Sequence, residues 1–138
     1  MFIAWLLNAL ALAFGVALGA RGLLDPKWAA RLVRLREDEQ GGGFAEFRAT
    51  YGGVFLGLHA VTLFMTLKYT MGGEYVIGVA AAGGAAALSA GWAGAAFGRV
   101  IAIWRDGADT KFNRLSVVIE LAMAAAIGGP WAVWALGG

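Results

Sequence analysis

Four long apolar stretches, separated by short charged connections, constrain this chain more than any other feature. They run over about residues 1–24, 49–67, 75–103 and 115–136. Each meets the ~20 residues that a helix needs to cross a ~30 Å hydrocarbon core. Apolar residues fill all faces of these stretches instead of alternating, which argues against strands. The expected fold is therefore all-α: an integral membrane four-helix bundle, one domain over residues 1–138. Composition agrees, since charged residues make up 14% of the chain, where a soluble domain carries roughly a quarter.

Charge is distributed unevenly between the connections. Arg21, Lys27, Arg31, Arg34, Arg36 and Arg48 flank the first, and Arg99, Arg105, Lys111 and Arg114 flank the third. Lys68 alone lies on the other side, beside the turn Thr70-Met71-Gly72-Gly73. The positive-inside rule then places the first and third connections in the cytoplasm and both termini outside. Ala17, Gly19 and Ala20 before Arg21 loosely imitate a signal-peptidase site. The segment ahead of them has no basic n-region and exceeds the usual apolar length of roughly 7–15 residues, so a retained helix is expected.

Within the first connection, Asp25-Pro26 forms a helix start. Trp28, Leu32 and Leu35 fall on one face and Lys27, Arg31 and Arg34 on another, which predicts a short amphipathic interfacial helix over about residues 26–36. Glu37-Asp38-Glu39 and a Gly41-Gly42-Gly43 hinge close it. Such a helix suits the headgroup layer or a lid over the cytoplasmic mouth.

Helices in lipid associate through close backbone approach. Gly84, Ala87, Gly91, Gly94 and Gly98 recur at three-four spacing in the third span, with Gly94 and Gly98 as a GxxxG pair. Ala11, Gly15 and Gly19 repeat the pattern in the first span, and Gly53 and Gly57 in the second. These seams are expected to hold the bundle together or to join two copies. No nucleotide-binding glycine fingerprint is present in a strand–helix context, and a net charge of +2 gives no argument for nucleic acid.

Polar residues inside the spans need partners. Glu120 lies about five residues into the fourth span, roughly 8 Å from its edge at 1.5 Å per residue. It is either protonated or met by a cation or several donors. Arg48 and Arg99 lie at the same level and are its candidate cations. Arg48, Gly52, Phe55, His59, Thr62 and Thr66 share one stripe of the second span, which should face the interior. Asn8 is expected to meet Thr62 or Thr66, and Ser89 to lie near the depth of His59.

With no cysteine and one histidine, the chain lacks the ligands for a disulfide framework, an iron–sulfur cluster or a haem held by two histidines. No metal, cofactor or catalytic residue is assigned. General acid–base work by Glu120 or His59 would need a second group beside it, and none is recognisable.

The segment Glu46-Phe47-Arg48-Ala49-Thr50-Tyr51-Gly52-Gly53, followed by Arg99, Asp106-Gly107 and Glu120, resembles the bacterial membrane family catalogued as domain of unknown function 4345. That family is broadly similar to DoxX-type proteins of the inner membrane. The resemblance covers nearly the whole chain and implies no established reaction. It implies that Glu46, Arg48, Tyr51, Arg99, Asp106 and Glu120 form a polar site on the cytoplasmic side, to which the residues themselves add His59 and Ser89.

The function expected is a multi-pass inner-membrane binding module for a lipid-like or quinone-like molecule or a partner protein. The alternative is an accessory or assembly subunit of a larger membrane complex. A membrane-lipid isomerase stands behind both, and a transporter behind that, since no inverted repeat is detectable. Membrane lipids, a second copy of the chain and a larger complex are the candidate partners.

Overall fold

The computed structural model describes residues 1–35 and 42–137. Arg36, Glu37, Asp38, Glu39 and Gly41, to which the sequence assigns the end of the interfacial helix and part of its hinge, lie outside the described residues. Among those described there is no strand. The elements are α1 (Phe2–Leu24), α2 (Pro26–Val33), α3 (Gly42–Glu46), a π-helical stretch (Phe47–Val54), α4 (Phe55–Thr70), α5 (Tyr75–Arg105) and α6 (Lys111–Leu136). Four helical runs are long and apolar enough to cross a membrane: Phe2–Leu24, Gly43–Thr70, Tyr75–Arg105 and Lys111–Leu136.

Two of these runs differ from the sequence boundaries. The second begins at Gly43 rather than near residue 49, because the helix continues through the Glu46–Arg48 charges by way of the π-helical stretch. The fourth begins at Lys111, where the Thr110 side chain accepts a hydrogen bond from the Asn113 N–H and so caps the helix. The short helix α2 ends at Val33, not at residue 36. Arg34 adopts a left-handed conformation (φ 60°), and Leu35 N–H bonds back to Ala30 O at 3.1 Å. That six-to-one bond marks a Schellman stop, here made without glycine.

The chain divides into two compact units, and the division falls within α1 and within α4. One unit holds Met1–Ala11 and Met65–Gly138. In it α5 and α6 pack antiparallel, with Gly78, Ala81, Ala82 and Ala85 of α5 buried. Small residues here make room for neighbouring rings: a Cβ on Gly78 would stand 2.5 Å from Tyr69, and Ala81 and Ala82 cluster with Trp5. Trp5 packs on Tyr69 and Trp134 with ring centroids 4.9 and 5.7 Å apart, and Tyr75 stacks on Trp134 at 5.9 Å. The start of α1, the end of α4, the start of α5 and the end of α6 thus meet at one end of this unit. Aromatic rings gathered at helix ends fit an interfacial belt.

Deeper in the same unit, Asn8 is fully buried. It donates from Nδ2 to Ile127 O at 2.6 Å and accepts from Thr66 Oγ1 at 2.9 Å. Of the two partners open to it in the sequence, Thr66 is the one engaged. Pro130 lies inside α6 and removes the N–H that would meet Ala126 O. The adjacent carbonyl, Ile127 O, is the one that Asn8 reaches.

The other unit holds Leu12–Phe64. Here α1 lies glycine to backbone against the second run. A Cβ on Gly19 would stand 2.5 Å from Leu56 N, one on Gly22 2.7 Å from Tyr51 O, and one on Gly52 2.6 Å from Leu23 Cα. Gly15 faces the His59 ring just as closely. The expected seam on the first span is therefore present, with Gly22 added. Pro26, Ala29 and Ala30 of α2 are buried, and its alanines cluster with Phe47.

The expected seam on the third span is not the one used. Gly91, Gly94 and Gly98 have nothing within 4 Å of an added Cβ and are exposed, as is Ala87. The buried row begins at Gly78 and lies elsewhere on the helix. Gly57 likewise faces open space. Nearly every face of α5 carries glycine or alanine, so spacing alone does not select one.

Candidate polar site

Glu120 is the buried acid that the sequence singles out, and Arg99 is its partner. Arg99 Nη2 lies 2.7 Å from Glu120 Oε1, and Nε reaches both carboxylate oxygens at 3.2 and 3.1 Å. This bidentate geometry suits a guanidinium facing a carboxylate. The Glu120 side chain is 9% exposed and that of Arg99 32%. The carboxylate is sequestered, while the guanidinium retains an open edge.

Asn113 completes the group. Its Oδ1 accepts from Arg99 Nη1 at 3.4 Å and its Nδ2 donates to Ala108 O at 2.7 Å. Sequence reasoning passed over Asn113. The signal was there in Thr110-x-x-Asn113, a helix start that fixes the first turn of α6 and with it the asparagine. Nearby, Asp106 is exposed and ends α5, its N–H bonded to Ala102 O.

Ser89 also lies on the α5–α6 interface. Its Oγ donates to Ala124 O at 2.8 Å, and a Cβ on Gly128 would stand 2.6 Å from the Ser89 Oγ. Gly128 is thus what admits the serine, and the serine ties two helices together.

In the other unit, Arg48 has a different task from the one expected. Its Nη1 donates to Leu23 O, with Leu24 O at 3.5 Å. These are carbonyls of the last turn of α1, where helical acceptors lack intrahelical partners and carry partial negative charge. Arg48 caps that helix. Glu46 is exposed, and Tyr51 is half exposed with its ring 5.4 Å from Phe47. Arg48, Tyr51, Gly52 and Gly53 all sit in the π-helical stretch. Such i→i+5 winding is rare and recurs at functional sites.

His59 is buried, as are Gly52, Thr62 and Thr66 of the same stripe, so the interior placement of that stripe holds from Gly52 onward. Arg48, its first member, is exposed. Nδ1 of His59 lies 2.7 Å from Phe55 O. A carbonyl can only accept, so Nδ1 carries the hydrogen. The ring also lies 4.2 Å, centroid to centroid, from Phe55.

The eight residues singled out from sequence divide between the units: Glu46, Arg48, Tyr51 and His59 in one, and Ser89, Arg99, Asp106 and Glu120 in the other. Among the described residues no group of three or more His, Cys, Asp or Glu could hold a metal ion. By length and composition, the four long apolar helices suggest a multi-pass membrane protein. Comparison with protein-family models, curated proteins and solved structures returned no match.

Proposed function

We propose that this chain is a binding module of the bacterial inner membrane. In this reading both termini face the periplasm, the first and third connections face the cytoplasm, and α2 lies at the interface. The module takes a lipid-like or quinone-like molecule whose polar head meets the open edge of Arg99. The observation that carries this is the Arg99–Glu120–Asn113 group. A buried carboxylate and an amide fix the guanidinium, while part of it stays accessible. A donor array oriented in advance binds a carbonyl or phosphate oxygen without the entropy cost of ordering a long side chain. The resemblance to the domain of unknown function 4345 family adds support for Arg99 and Glu120 as members of a polar site.

The test is to purify the protein with its surrounding lipid in nanodiscs and to identify retained small molecules by mass spectrometry. One lipid or quinone species should be retained by the wild type and lost from Arg99→Gln. Equal retention by both, or retention by neither, would refute the reading. Cysteine labelling of this cysteine-free chain tests the topology separately. Cysteines at Leu35 and Ala108 should react from the cytoplasmic side and one at Gly72 from the periplasmic side.

A second reading, an accessory subunit of a larger complex, is favoured by the open glycine row of α5, Gly91, Gly94 and Gly98. Small residues on an uncovered face allow another helix to approach. A monodisperse single-chain particle in mild detergent would count against it. The isomerase reading is weaker, because the Glu120 side chain is 9% exposed and already paired with Arg99. A general base needs a lone pair directed at substrate.

A further inference from the structure

The helix α2 has two faces, and the second is covered only in part within the chain. Pro26, Ala29 and Ala30 are buried and Val33 is half-buried, following the i, i+3, i+4, i+7 spacing of a single face. That face packs on Phe44 and Phe47. The opposite face carries Lys27, Trp28, Arg31 and Leu32, followed by Leu35 just past the helix. Lys27 and Arg31 are exposed, Trp28 is half-buried, and Leu32 and Leu35 are 43% and 55% exposed. Leu32 and Leu35 of the apolar face foreseen from sequence are thus turned outward, while Trp28 joins the alanines in packing on Phe47 and the Lys27 ammonium lies 5.9 Å from the centroid of the Phe44 ring.

We propose that this outward face is a docking surface for anionic phospholipids at the membrane boundary where α1 ends. The proposal rests on the reading of α1 as a membrane span. α2 starts two residues after α1 ends at Leu24, so it cannot lie far from the edge of the hydrocarbon. Charge complementarity selects the occupant. Arg21, Lys27 and Arg31 are all exposed around this face. The acid beside them, Asp25, accepts from Trp28 N–H at 3.0 Å as the helix cap. The Arg21 guanidinium sits 4.4 Å from the centroid of the Trp28 ring and joins α1 to the face. Cations lie along one flank, two leucines along the other and an indole between them. This order matches a surface that meets phosphates above and acyl chains below.

The absence of cysteine makes the test direct. A spin label at Leu32→Cys reports whether the side chain is reached by dissolved oxygen, as in lipid, or by a water-soluble nickel complex. The full chain is reconstituted in vesicles of phosphatidylcholine with or without phosphatidylglycerol. The label should be lipid-docked with phosphatidylglycerol present and largely water-exposed without it. Lys27→Gln and Arg31→Gln should each lower the docked-to-exposed ratio in the anionic vesicles by about fivefold, equivalent to ~1 kcal/mol per cation near the surface. Glycerol phosphate added in solution should not restore docking to neutral vesicles. If it does, a free phosphate group and not a lipid is recognised, and the proposal falls. A label that is water-exposed in both vesicle types overturns it, as does a docked ratio indifferent to both glutamine substitutions. Protection found only in native membranes would assign the face to a protein partner instead. A second label at Phe14→Cys, midway along α1, keeps the two readings apart. If that label is water-exposed, α1 does not span and the membrane reading fails first.

Discussion

Arg99 holds Glu120 by both carboxylate oxygens, across the interface between α5 and α6. One partner is nearly covered and the other is one-third open. The pair therefore fastens the two helices and still offers a charged edge. Its contribution to stability is best seen by removing its members singly and together. Deleting one charge strands the other in a poorly solvated place, and deleting both does not.

Glu120→Gln and Arg99→Gln are expected to destabilise the protein by about 2 kcal/mol each. The double variant should lose less than the sum of the two. Thermal unfolding in detergent, followed by circular dichroism, gives the cycle. Strict additivity would mean that the two side chains do not interact.

Arg48→Gln should cost less, about 1 kcal/mol, because it removes a cation from the carbonyl end of α1 without stranding a buried charge. Arg48→Lys should recover part of that loss. The same melting experiment reads both variants. Lysine behaving no better than glutamine would show that charge at the end of α1 is not what Arg48 supplies.

Gly19→Val should destabilise strongly, by more than about 2 kcal/mol, because Leu56 backbone atoms occupy the space the side chain needs. Gly94→Val should leave the melting temperature of the isolated chain nearly unchanged, since nothing stands within 4 Å of that position. Equal losses at both sites would place α5 differently from the arrangement described. A change of particle size with Gly94→Val alone would reveal a neighbour on that face.

Asn8→Ala removes the donor to Ile127 O and the acceptor of Thr66. Side-chain hydrogen bonds between membrane helices contribute modestly, about 0.6 kcal/mol on average and up to about 1.7. A loss near the upper figure is expected, because one residue serves two partners. Thr66→Val should cost roughly half as much. Hydrogen exchange of the α6 amides around Ile127, measured by mass spectrometry, should rise in Asn8→Ala and stay as in the wild type in Thr66→Val.

Much of this arrangement was legible in the chain. An apolar run of sufficient length has few alternatives in lipid, because every backbone N–H and C=O must be satisfied internally. The four runs and their approximate ends follow from that, as does the need for a cation beside Glu120. The interior stripe through His59, Thr62 and Thr66 was readable because polar residues at three-four spacing stand out against leucine and valine.

What the chain left open shares one physical cause: the residues concerned carry no directional signal. The α5 helix is glycine and alanine on almost every side, so periodicity cannot choose a face, and only packing against neighbours such as Trp5, Tyr69 and Trp134 singles out Gly78, Ala81 and Ala82. Arg48 had a carboxylate as its obvious partner in sequence, yet it bonds to carbonyls of Leu23 and Leu24, and every residue has a carbonyl. Composition and spacing determined which segments can span and where charge must be neutralised. Tertiary structure alone decided which surface of each helix is covered, because close contact depends on the shape of both neighbours and a single helix encodes only its own.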